Sequence, residues 1–374
     1  MRSETLGIIF SNMHDESLGE MTTQRTMGSV LFGGRYRLID FPLSSMHNAG
    51  IQNIGIITRR NYQSLMDHVG SGRPWDLARK NGGLTVLPPY AHRSATGLYQ
   101  GSLEALSGVM SYIRNAGDEK YVVVCDCDMV ASMRFDLLQE AHESSGAGIT
   151  ILCGKRRLEA DDSHLDMVVD VGEDGFLRDV VRGCQSAGEY NTYLHSYIID
   201  KDLLIRLVTT AVATDKTSFH KDILREQAAK HNVYCYQYGG YFGNINGLKS
   251  YFQISMDLLR PEVRQELFDP RNPVYTRVLD EVPCKYGLRA AVKNSLLADG
   301  CIVDGVVENS ILFRGVKVLG GAVVRNSIVM QGTVVGRNAQ LDYTILDKDV
   351  TIQDGRVLAG YATYPLYIPK GIRV

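Results

Sequence analysis

Short apolar runs alternate with helix-length amphipathic segments through roughly the first 245 residues of the chain. The runs are rich in β-branched and aliphatic residues, which is typical of strands buried on both faces. They lie at residues 6–10, 54–58, 121–125 and 148–152, and helical spacing is found at residues 43–49, 62–69 and 102–114. The pattern predicts βαβ units of an α/β domain. Because ligands bind at the carboxyl ends of such strands, we expect the chemistry just after residues 10, 58 and 125.

The pattern changes near residue 294. A short motif starts at Asn294, Asn309, Asn326 and Tyr343, and the last three starts are 17 residues apart, close to three hexads. Aliphatic residues also recur at intervals of six, which predicts a parallel β-helix of hexapeptide repeats. Prolines interrupt the segment before it. The chain is therefore predicted to divide into an α/β domain (1–245), a linker with a helix (246–293) and a β-helix domain (294–374).

Composition excludes several classes of function. The net charge is −2 and no block of lysine and arginine is present, so neither nucleic acid nor an anionic membrane is an expected partner. The seven cysteines form no C-x-x-C pair, which indicates reduced thiols in a cytoplasmic protein. No apolar stretch is long enough for a signal peptide or a membrane span. All nine histidines precede residue 294, which disfavours acyl transfer by a histidine base within the β-helix.

Several motifs resemble the glucose-1-phosphate adenylyltransferase family. Residues 32–44 (FGGRYRLIDFPLS) resemble its FGGKxRxIDFxLSN stretch, residues 51–58 its IxxIGVxTQ strand and residues 99–105 (YQGSLEA) its YRGTADA segment. Residues 125–128 (CDCD) fall on a strand that ends in LAGD in that family. The resemblance covers nearly the whole chain. It implies a Rossmann-like, GT-A-like nucleotidyltransferase domain with a mixed sheet, followed by a left-handed parallel β-helix.

The loop that binds nucleotide in this family is altered. Catalysts carry GGxGxRLxxLTxxRxKPA after the first strand, because glycines let backbone N–H groups approach phosphates and cations neutralise them. Here all three glycines are missing, Ser17 stands at the arginine and Met27 at the lysine. The degenerate loop is Ser11, Asn12, Met13, His14, Asp15, Glu16 and Ser17. Each added carboxylate, at about 4 Å from a phosphate, costs roughly 1–4 kcal/mol. We expect weak nucleotide binding, the alternative being a variable loop whose chemistry is supplied elsewhere.

The metal site inferred from the resemblance is half preserved. Nucleotidyl transfer of this kind holds Mg²⁺ between phosphate oxygens and two carboxylates. Asp128 matches the first and is the residual catalytic candidate, while Asn244 replaces the second and predicts a weakened site. Asp126 is a possible compensating carboxylate. The alternative for both aspartates is that they cap the following turn. No tightly bound cofactor is expected, and Mg²⁺ only if the site is active.

Three further sets of residues follow from the resemblance. Arg182 and Gly183 replace the glutamate and lysine that bind glucose 1-phosphate, so they are a remnant of the sugar-phosphate site; the alternative for Arg182 is a solvated arginine at the end of a strand. A nucleotide-pocket remnant is formed by Tyr99, Gln100, Gly101 and Ser102. Candidates for a phosphorylated effector are Arg35, Arg37, Arg59 and Arg60, with linker residues Arg277, Lys285 and Arg289; the alternative is ordinary surface charge.

Decay of three subsites within an intact scaffold resembles the GlgD-type subunits of glycogen biosynthesis. Such a resemblance implies a non-catalytic protein that supports or regulates a catalytic paralogue in ADP-glucose synthesis. The implied partner is a catalytic glucose-1-phosphate adenylyltransferase subunit in a hetero-oligomer, with a tetramer as the expected form. The alternative is an active enzyme that makes ADP-glucose and pyrophosphate from ATP and glucose 1-phosphate.

Overall fold

The computed structural model describes residues 4–11, 13–89, 99, 101–158, 167–184 and 186–374. An α/β domain comes first and a left-handed parallel β-helix follows, as predicted. The strands of the α/β domain are β1 (Thr5–Phe10), β2 (Leu31–Phe32), β3 (Tyr36–Arg37), β4 (Asn53–Ile57), β5 (Gly83–Leu87), β6 (Tyr121–Asp126), β7 (Met129–Ala131), β8 (Ile149–Leu158), β9 (Met167–Val171), β10 (Leu177–Arg182), β11 (Gly188–Asp200), β12 (Val233–Tyr238) and β13 (Phe242–Asn244).

The helices lie mostly between these strands. They are α1 (Asp40–Asn48), α2 (Gln63–Val69), α3 (Ser102–Gly108), α4 (Met110–Arg114), α5 (Phe135–Ser145), α6 (Lys201–Ala213), α7 (Arg225–Ala229), α8 (Leu248–Asp257) and α9 (Pro261–Leu267). Tighter 3₁₀ turns occupy Asp15–Thr22, Met27–Ser29 and Arg73–Trp75, and a wide π-turn occupies Phe219–Leu224. None of the described helices is both long and apolar enough to cross a membrane.

Within the described residues, nine strands form one mixed sheet. Strands β5, β4, β1 and β6 are parallel neighbours in that order, which confirms the predicted βαβ units. Beyond β6 the long strand β11 runs antiparallel to both β6 and β8, and β12 pairs with β8 in parallel. The β9–β10 hairpin attaches to the first half of β11. The carboxyl ends of β1 and β6 therefore meet the middle of β11.

Apolar residues cover both faces of this sheet. Successive strand residues point to opposite faces, so Ile8 packs in the cluster that contains α3, α4 and α6, and Ile9 packs in the cluster that contains α1, α2 and α5. The same division holds for Val122 and Val123 of β6, all four residues being fully buried. Burial on both faces explains why these strands read as continuous apolar runs.

The β-helix is built from stacked coils with three short strands each. Its strands are β14 (Lys285–Tyr286), β15 (Ala291–Lys293), β16 (Leu296–Leu297), β17 (Ile302–Val303), β18 (Val306–Glu308), β19 (Ile311–Leu312), β20 (Lys317–Val318), β21 (Val323–Arg325), β22 (Ile328–Val329), β23 (Val334–Val335), β24 (Gln340–Asp342), β25 (Thr344–Leu346), β26 (Thr351–Ile352), β27 (Val357–Ala359) and β28 (Leu366–Ile368). The first strands of the β-helix lie within the segment predicted as linker (246–293), which also holds α8 and α9. They belong with the coils because Lys285 pairs with Ile302, and Ala291 with Val306.

The repeated motif marks one corner of each coil. Asn309 and Asn326 have φ of 45°, a left-handed conformation that asparagine tolerates better than most residues. The side chain of Asn309 donates a hydrogen bond of 3.4 Å to that of Asn326 in the next coil. The 17-residue spacing therefore places equivalent residues of successive coils above one another. The aliphatic residues form one internal column in the same way.

A shared core joins the two domains. Tyr251 and Phe252 of α8 pack with Phe32 and Phe41 of the α/β domain and with Phe313 of the β-helix. The tyrosine hydroxyl donates to the Leu31 carbonyl at 2.7 Å. The linker helix is therefore part of the interior, and the β-helix is fixed against the side of the α/β domain.

Candidate functional site

A cavity of about 590 Å³ lies at the carboxyl ends of β1 and β6. This is the sheet edge where the sequence predicted the chemistry. Cationic side chains from three segments, Arg182, Lys221 and Arg225, lie in its wall beside the acidic Glu16 and Asp128. The full lining is Met13, His14, Glu16, Ser17, Asp128, Met167, Val180, Val181, Arg182, His195, Ser218, His220, Lys221, Arg225, Asn244, Ile245 and Asn246.

Two imidazoles converge on one carboxylate oxygen in this cavity. Nδ1 of His14 lies 2.8 Å from Asp128 Oδ2, and Nδ1 of His195 lies 2.7 Å from the same oxygen. The carboxylate of Asp126 lies 3.8 Å from His14 Nδ1. Asp128 and Asp126 are only 3% and 6% exposed, whereas the His14 side chain is 41% exposed. The cluster thus joins the loop after β1, the end of β6 and the middle of β11.

The cluster shifts the pKa of each of its members. Burial lowers the pKa of His14, but the Asp128 carboxylate outweighs burial and raises it to about 9. The pKa of His195 is raised by Asp128 in the same way, against the effect of burial. Burial opposes ionisation of Asp128, yet the two imidazoles hold its pKa well below the usual range. For Asp126 burial dominates and raises the pKa to about 6. The arrangement therefore favours an ionised Asp128 with protonated imidazoles beside it.

His195 reaches the cluster because β11 bulges at this point. Tyr193 pairs with Cys153 and Tyr197 with Ile151, so four steps along β11 oppose two along β8. His195 lies inside the bulge with φ of 46°, a left-handed conformation that is rare for histidine and costs on the order of 1 kcal/mol. Bulges re-aim side chains next to functional sites. Sequence reasoning missed His195; its one signal was a buried polar residue within an apolar strand.

The loop between β1 and Met27 differs from the expected picture. Asp15 is only 8% exposed, and its Oδ1 accepts a hydrogen bond of 2.7 Å from the Met27 N–H. The Asp15 carboxylate thus holds the backbone of the loop, and Asp15 is absent from the lining of the main cavity. Its effect on phosphate binding stays a prediction. Glu16 is exposed and does line the cavity. With Arg182 and Lys221 opposite, the cavity wall is mixed in charge instead of uniformly repulsive to anions.

Other loop residues hold the backbone in place or fill the interior. Ser11 donates from its N–H and its hydroxyl to the Ile57 carbonyl at 3.1 and 2.9 Å. The Ser17 hydroxyl donates to the His14 carbonyl at 2.7 Å. Met27, at the position of the family's lysine, is 1% exposed and packs in the shared core. The loop is therefore built as a packed segment with His14 at the cavity.

Comparisons with known proteins agree with these observations. A nucleotidyl transferase family model matches residues 16–172, and a GlmU-like, C-terminal hexapeptide model matches residues 282–362. The chain is 35% identical to glycogen biosynthesis protein GlgD of Bacillus subtilis over 99% of this chain and 97% of that protein. Proteins named glucose-1-phosphate adenylyltransferase match at 31% identity: that of Fervidobacterium nodosum over 94% of this chain and 84% of its own, and that of Halalkalibacterium halodurans over 93% and 97%. The chain belongs to the glucose-1-phosphate adenylyltransferase family.

The two positions of the family's metal pair are neighbours here. Asn244 of β13 pairs with Met129 of β7, and the Ile245 N–H donates to the Asp128 carbonyl at 2.8 Å. Both Asp128 and Asn244 line the cavity. Mg²⁺ requires oxygen ligands in octahedral geometry and is bound by carboxylates and water. Two imidazoles contact Asp128 Oδ2, and the amide of Asn244 stands where the resemblance implies a second carboxylate. These two residues therefore supply less negative charge than a Mg²⁺ site of this kind needs.

The sugar-phosphate remnant also lies at the cavity. Arg182, the last residue of β10, is exposed and lines it. Gly183 has φ of 81°, so the lysine that the family places here would be strained. Asp222, next to the cavity residue Lys221, accepts hydrogen bonds from the N–H groups of Thr217 and Ser218 at 3.2 and 3.0 Å, which is a structural role.

The nucleotide-pocket remnant borders a second, smaller cavity of about 290 Å³, lined in part by Gly101, Ser102 and Asp126. A Cβ at Gly101 would lie 2.2 Å from the Thr217 carbonyl oxygen, so glycine is required for close backbone approach. The Tyr99 ring is 7% exposed and packs in the core beside α3. Asn12 and Gln100 lie outside the described residues.

The arginines predicted to bind an effector have different neighbours. Arg35 is exposed, with its guanidinium 5.4 Å from the centre of the Tyr36 ring, and it lies near Arg314 of the β-helix. Arg37 donates to the Ser64 carbonyl at 2.6 Å. Burial and the nearby Arg25 and Arg277 guanidinium groups lower its pKa to about 10, although Asp40 opposes them.

The other basic residues predicted to bind an effector also differ in their neighbours. Arg277 is near Arg37 and donates to the Asp67 carbonyl at 2.5 Å. Arg289 instead forms an ion pair of 2.9 Å with Asp304. Arg59 is partly buried and Arg60 is exposed. A basic cluster at the domain junction therefore includes Arg37 and Arg277, and the effector site stays a prediction.

Proposed function

We propose that this chain is a non-catalytic subunit of glycogen biosynthesis that assembles with a catalytic glucose-1-phosphate adenylyltransferase and supports or regulates ADP-glucose synthesis. The observation that carries this proposal is the state of Asp128. Its Oδ2 accepts from His14 at 2.8 Å and from His195 at 2.7 Å, where a catalyst needs a carboxylate for its metal. A carboxylate whose Oδ2 already accepts hydrogen bonds from two imidazoles has less charge available for Mg²⁺ and a triphosphate.

The loop supports the same conclusion. A phosphate cradle requires exposed backbone N–H groups and flexible glycines. Here the Met27 N–H is bonded to Asp15, the Ser11 N–H is bonded to Ile57, and the His14 side chain lies in the wall of the cavity. These contacts leave the loop poorly suited to a nucleotide.

An intact scaffold fits a role in assembly. The shared core fixes the β-helix on the α/β domain, and the chain matches both GlgD and the adenylyltransferases over more than nine-tenths of its length. A partner of the same family, in a hetero-oligomer for which we expect a tetramer, would explain why the fold persists without the active-site residues. The cytoplasmic location expected from the sequence stays a prediction.

The test measures ADP-glucose formation from ATP and glucose 1-phosphate by this chain, by a catalytic family member from the same organism, and by both together. We expect this chain alone to be at background and the mixture to exceed the catalytic subunit, or to differ in its response to phosphorylated metabolites. The control replaces this chain by an equal amount of a catalytically silent β-helix protein. A mixture equal to the sum of its parts, with no complex on gel filtration, would refute the proposal.

A second candidate is an active adenylyltransferase with an unusual loop. Retention of Asp128 and of cationic side chains from Arg182, Lys221 and Arg225 around the cavity favours it. Turnover by the purified chain alone distinguishes the two candidates, because only an active enzyme forms ADP-glucose without a partner.

A further inference from the structure

We propose that His14, Asp126, Asp128 and His195 bind a divalent transition-metal ion of the Zn²⁺ class at the position where the catalysts of the family hold Mg²⁺. Each residue offers one ligand atom, and the four atoms lie within 4.8 Å of one another. The imidazoles bind an ion only in the neutral form, so entry of the ion releases the Nδ1 protons of His14 and His195 to solvent, and the affinity rises with pH. The inference starts from the mismatch with Mg²⁺ described above and goes beyond the proposed function, since the site can exist whether or not the chain is catalytic.

The distances suit a small tetrahedral ion. Metal–ligand bonds of about 2.0–2.2 Å place tetrahedral ligand atoms roughly 3.3–3.6 Å apart. The distances from Asp128 Oδ2 to the two Nδ1 atoms are 2.8 and 2.7 Å, and His14 Nδ1 lies 3.8 Å from Asp126 Oδ2. Movements below about 1 Å at these pairs open the cluster around an ion, and the His14 side chain, which is 41% exposed, has room to make them.

Buried acceptors point to a missing ligand. Oδ1 of Asp126 and Oδ1 of Asp128 are buried and have no hydrogen-bond partner among the described residues. Both aspartates are more than nine-tenths buried. Two adjacent buried carboxylates with unused acceptors carry a high desolvation cost, which a bound cation removes.

The backbone of β11 also fits a metal site. His195 is held in a left-handed conformation inside a bulge, and that conformation delivers its imidazole to Asp128. Local strain of this kind persists where the surrounding structure requires a particular side-chain position. A ligand histidine has that requirement.

The donor set selects the class of ion. Imidazole nitrogens suit Zn²⁺ and its neighbours, and affinity for such sites rises along the first row to Cu²⁺ and falls slightly at Zn²⁺. Mg²⁺ prefers oxygen and keeps its waters. An ion bound here would connect three segments: the loop through His14, the end of β6 through the two aspartates, and β11 through His195. It would thereby hold the loop against the degenerate site.

The test uses the full chain without an affinity tag that binds metal. After treatment with a chelator, Zn²⁺, Mn²⁺ and Mg²⁺ are titrated separately by calorimetry, and the metal content of the untreated protein is measured by mass spectrometry. We expect one Zn²⁺ per chain, affinity for Zn²⁺ at least about 100-fold above that for Mg²⁺, and a higher unfolding temperature with Zn²⁺. Absence of Zn²⁺ binding, or Mg²⁺ binding as tight as Zn²⁺ binding, would overturn the proposal.

Variants locate the ion. His14→Ala and His195→Ala should each weaken Zn²⁺ binding by more than about tenfold. His220→Asn is the matched control, because His220 lines the same cavity and its ring centre lies 6.1 Å from that of His195, yet it is outside the cluster. If His195→Ala fails to fold, His14→Ala decides, since its side chain is 41% exposed. Unchanged Zn²⁺ affinity in His14→Ala, or equal losses in His220→Asn, would contradict the assignment.

Discussion

Arg25 connects the loop segment of the α/β domain to the β-helix, and its removal should weaken the contact between the two. Its Nε donates to the Met21 carbonyl at 2.9 Å, and its Nη2 forms an ion pair with the carboxylate of Asp347, 322 residues away in the chain. The Tyr367 hydroxyl donates to the same carboxylate at 2.7 Å. The two side chains of the ion pair are 8% and 1% exposed, so water does not replace a lost partner.

Replacing Arg25 by methionine leaves the Asp347 carboxylate buried without its cation. Breaking a buried ion pair from one side costs about 3–5 kcal/mol. Since the Tyr367 hydroxyl and the Lys348 N–H, the latter at 2.7 Å, still donate to Asp347, we expect the lower end, about 3 kcal/mol. The double variant Arg25→Met/Asp347→Leu removes both charges and should recover at least about 1 kcal/mol of this loss.

Urea unfolding followed by two signals measures the effect. Fluorescence of the single tryptophan, Trp75, reports on the α/β domain, and circular dichroism reports on the whole chain. Two signals are needed because a chain of two domains need not unfold in one step. Arg271→Met is the control, since Arg271 is 89% exposed in its pair with Asp269 and its removal should leave the free energy of unfolding nearly unchanged. A loss from Arg25→Met no larger than in this control would refute the reasoning.

Three further predictions follow from the site and the shared core. Burial lowers the pKa of His14, but Asp128 outweighs burial and raises that pKa from 6.5 to about 9. In metal-free protein the His14–Asp128 ion pair should therefore stabilise the loop fully below about pH 6.5, and this stabilisation should be lost as pH rises through about 9. An imidazole NMR titration midpoint at or below 6.5 would contradict this. Asn244→Asp combined with His14→Gly restores the family's second carboxylate and removes one of the two imidazoles from the first. The double variant should tighten Mg²⁺ binding by about tenfold or more in a calorimetric titration; unchanged affinity would count against the metal-pair assignment. Phe313→Ala, at a residue 2% exposed, should cost about 3–5 kcal/mol in urea unfolding, whereas Tyr364→Ala, at one 79% exposed, should change stability by less than about 0.5 kcal/mol.

Periodic features of the fold could be predicted from the sequence. The apolar runs of β1, β4 and β6 are buried on both faces of the sheet. Because residues on both faces must then be apolar, the runs themselves indicate buried strands. The β-helix repeats one coil with asparagine at a left-handed corner, and Asn309 and Asn326 keep the same φ of 45°. The place of Asp128 and Asn244 beside one cavity also followed from their motifs.

Features that depend on contacts between distant segments could not be predicted. The bulge that turns His195 toward Asp128 is set by the register of β11 against β8, and no local pattern encodes it. The sequence indicates only that Asp15 places a carboxylate near the expected phosphate site. The hydrogen bond that its Oδ1 accepts from the Met27 N–H is seen only in the structure. Composition gives the number of charged residues but not where their side chains point. The mixture of acidic and basic side chains in the cavity wall could therefore be seen only in the structure.

The rate of ADP-glucose formation by this chain alone, with ATP, glucose 1-phosphate and saturating Mg²⁺, tests most directly whether the imidazoles on Asp128 have replaced its metal function. We expect a rate indistinguishable from that of heat-inactivated protein. Turnover at an ordinary enzymatic rate, about 1–10³ per second, would contradict the account, because it would require Asp128 to hold Mg²⁺ while His14 and His195 lie within hydrogen-bonding distance of it.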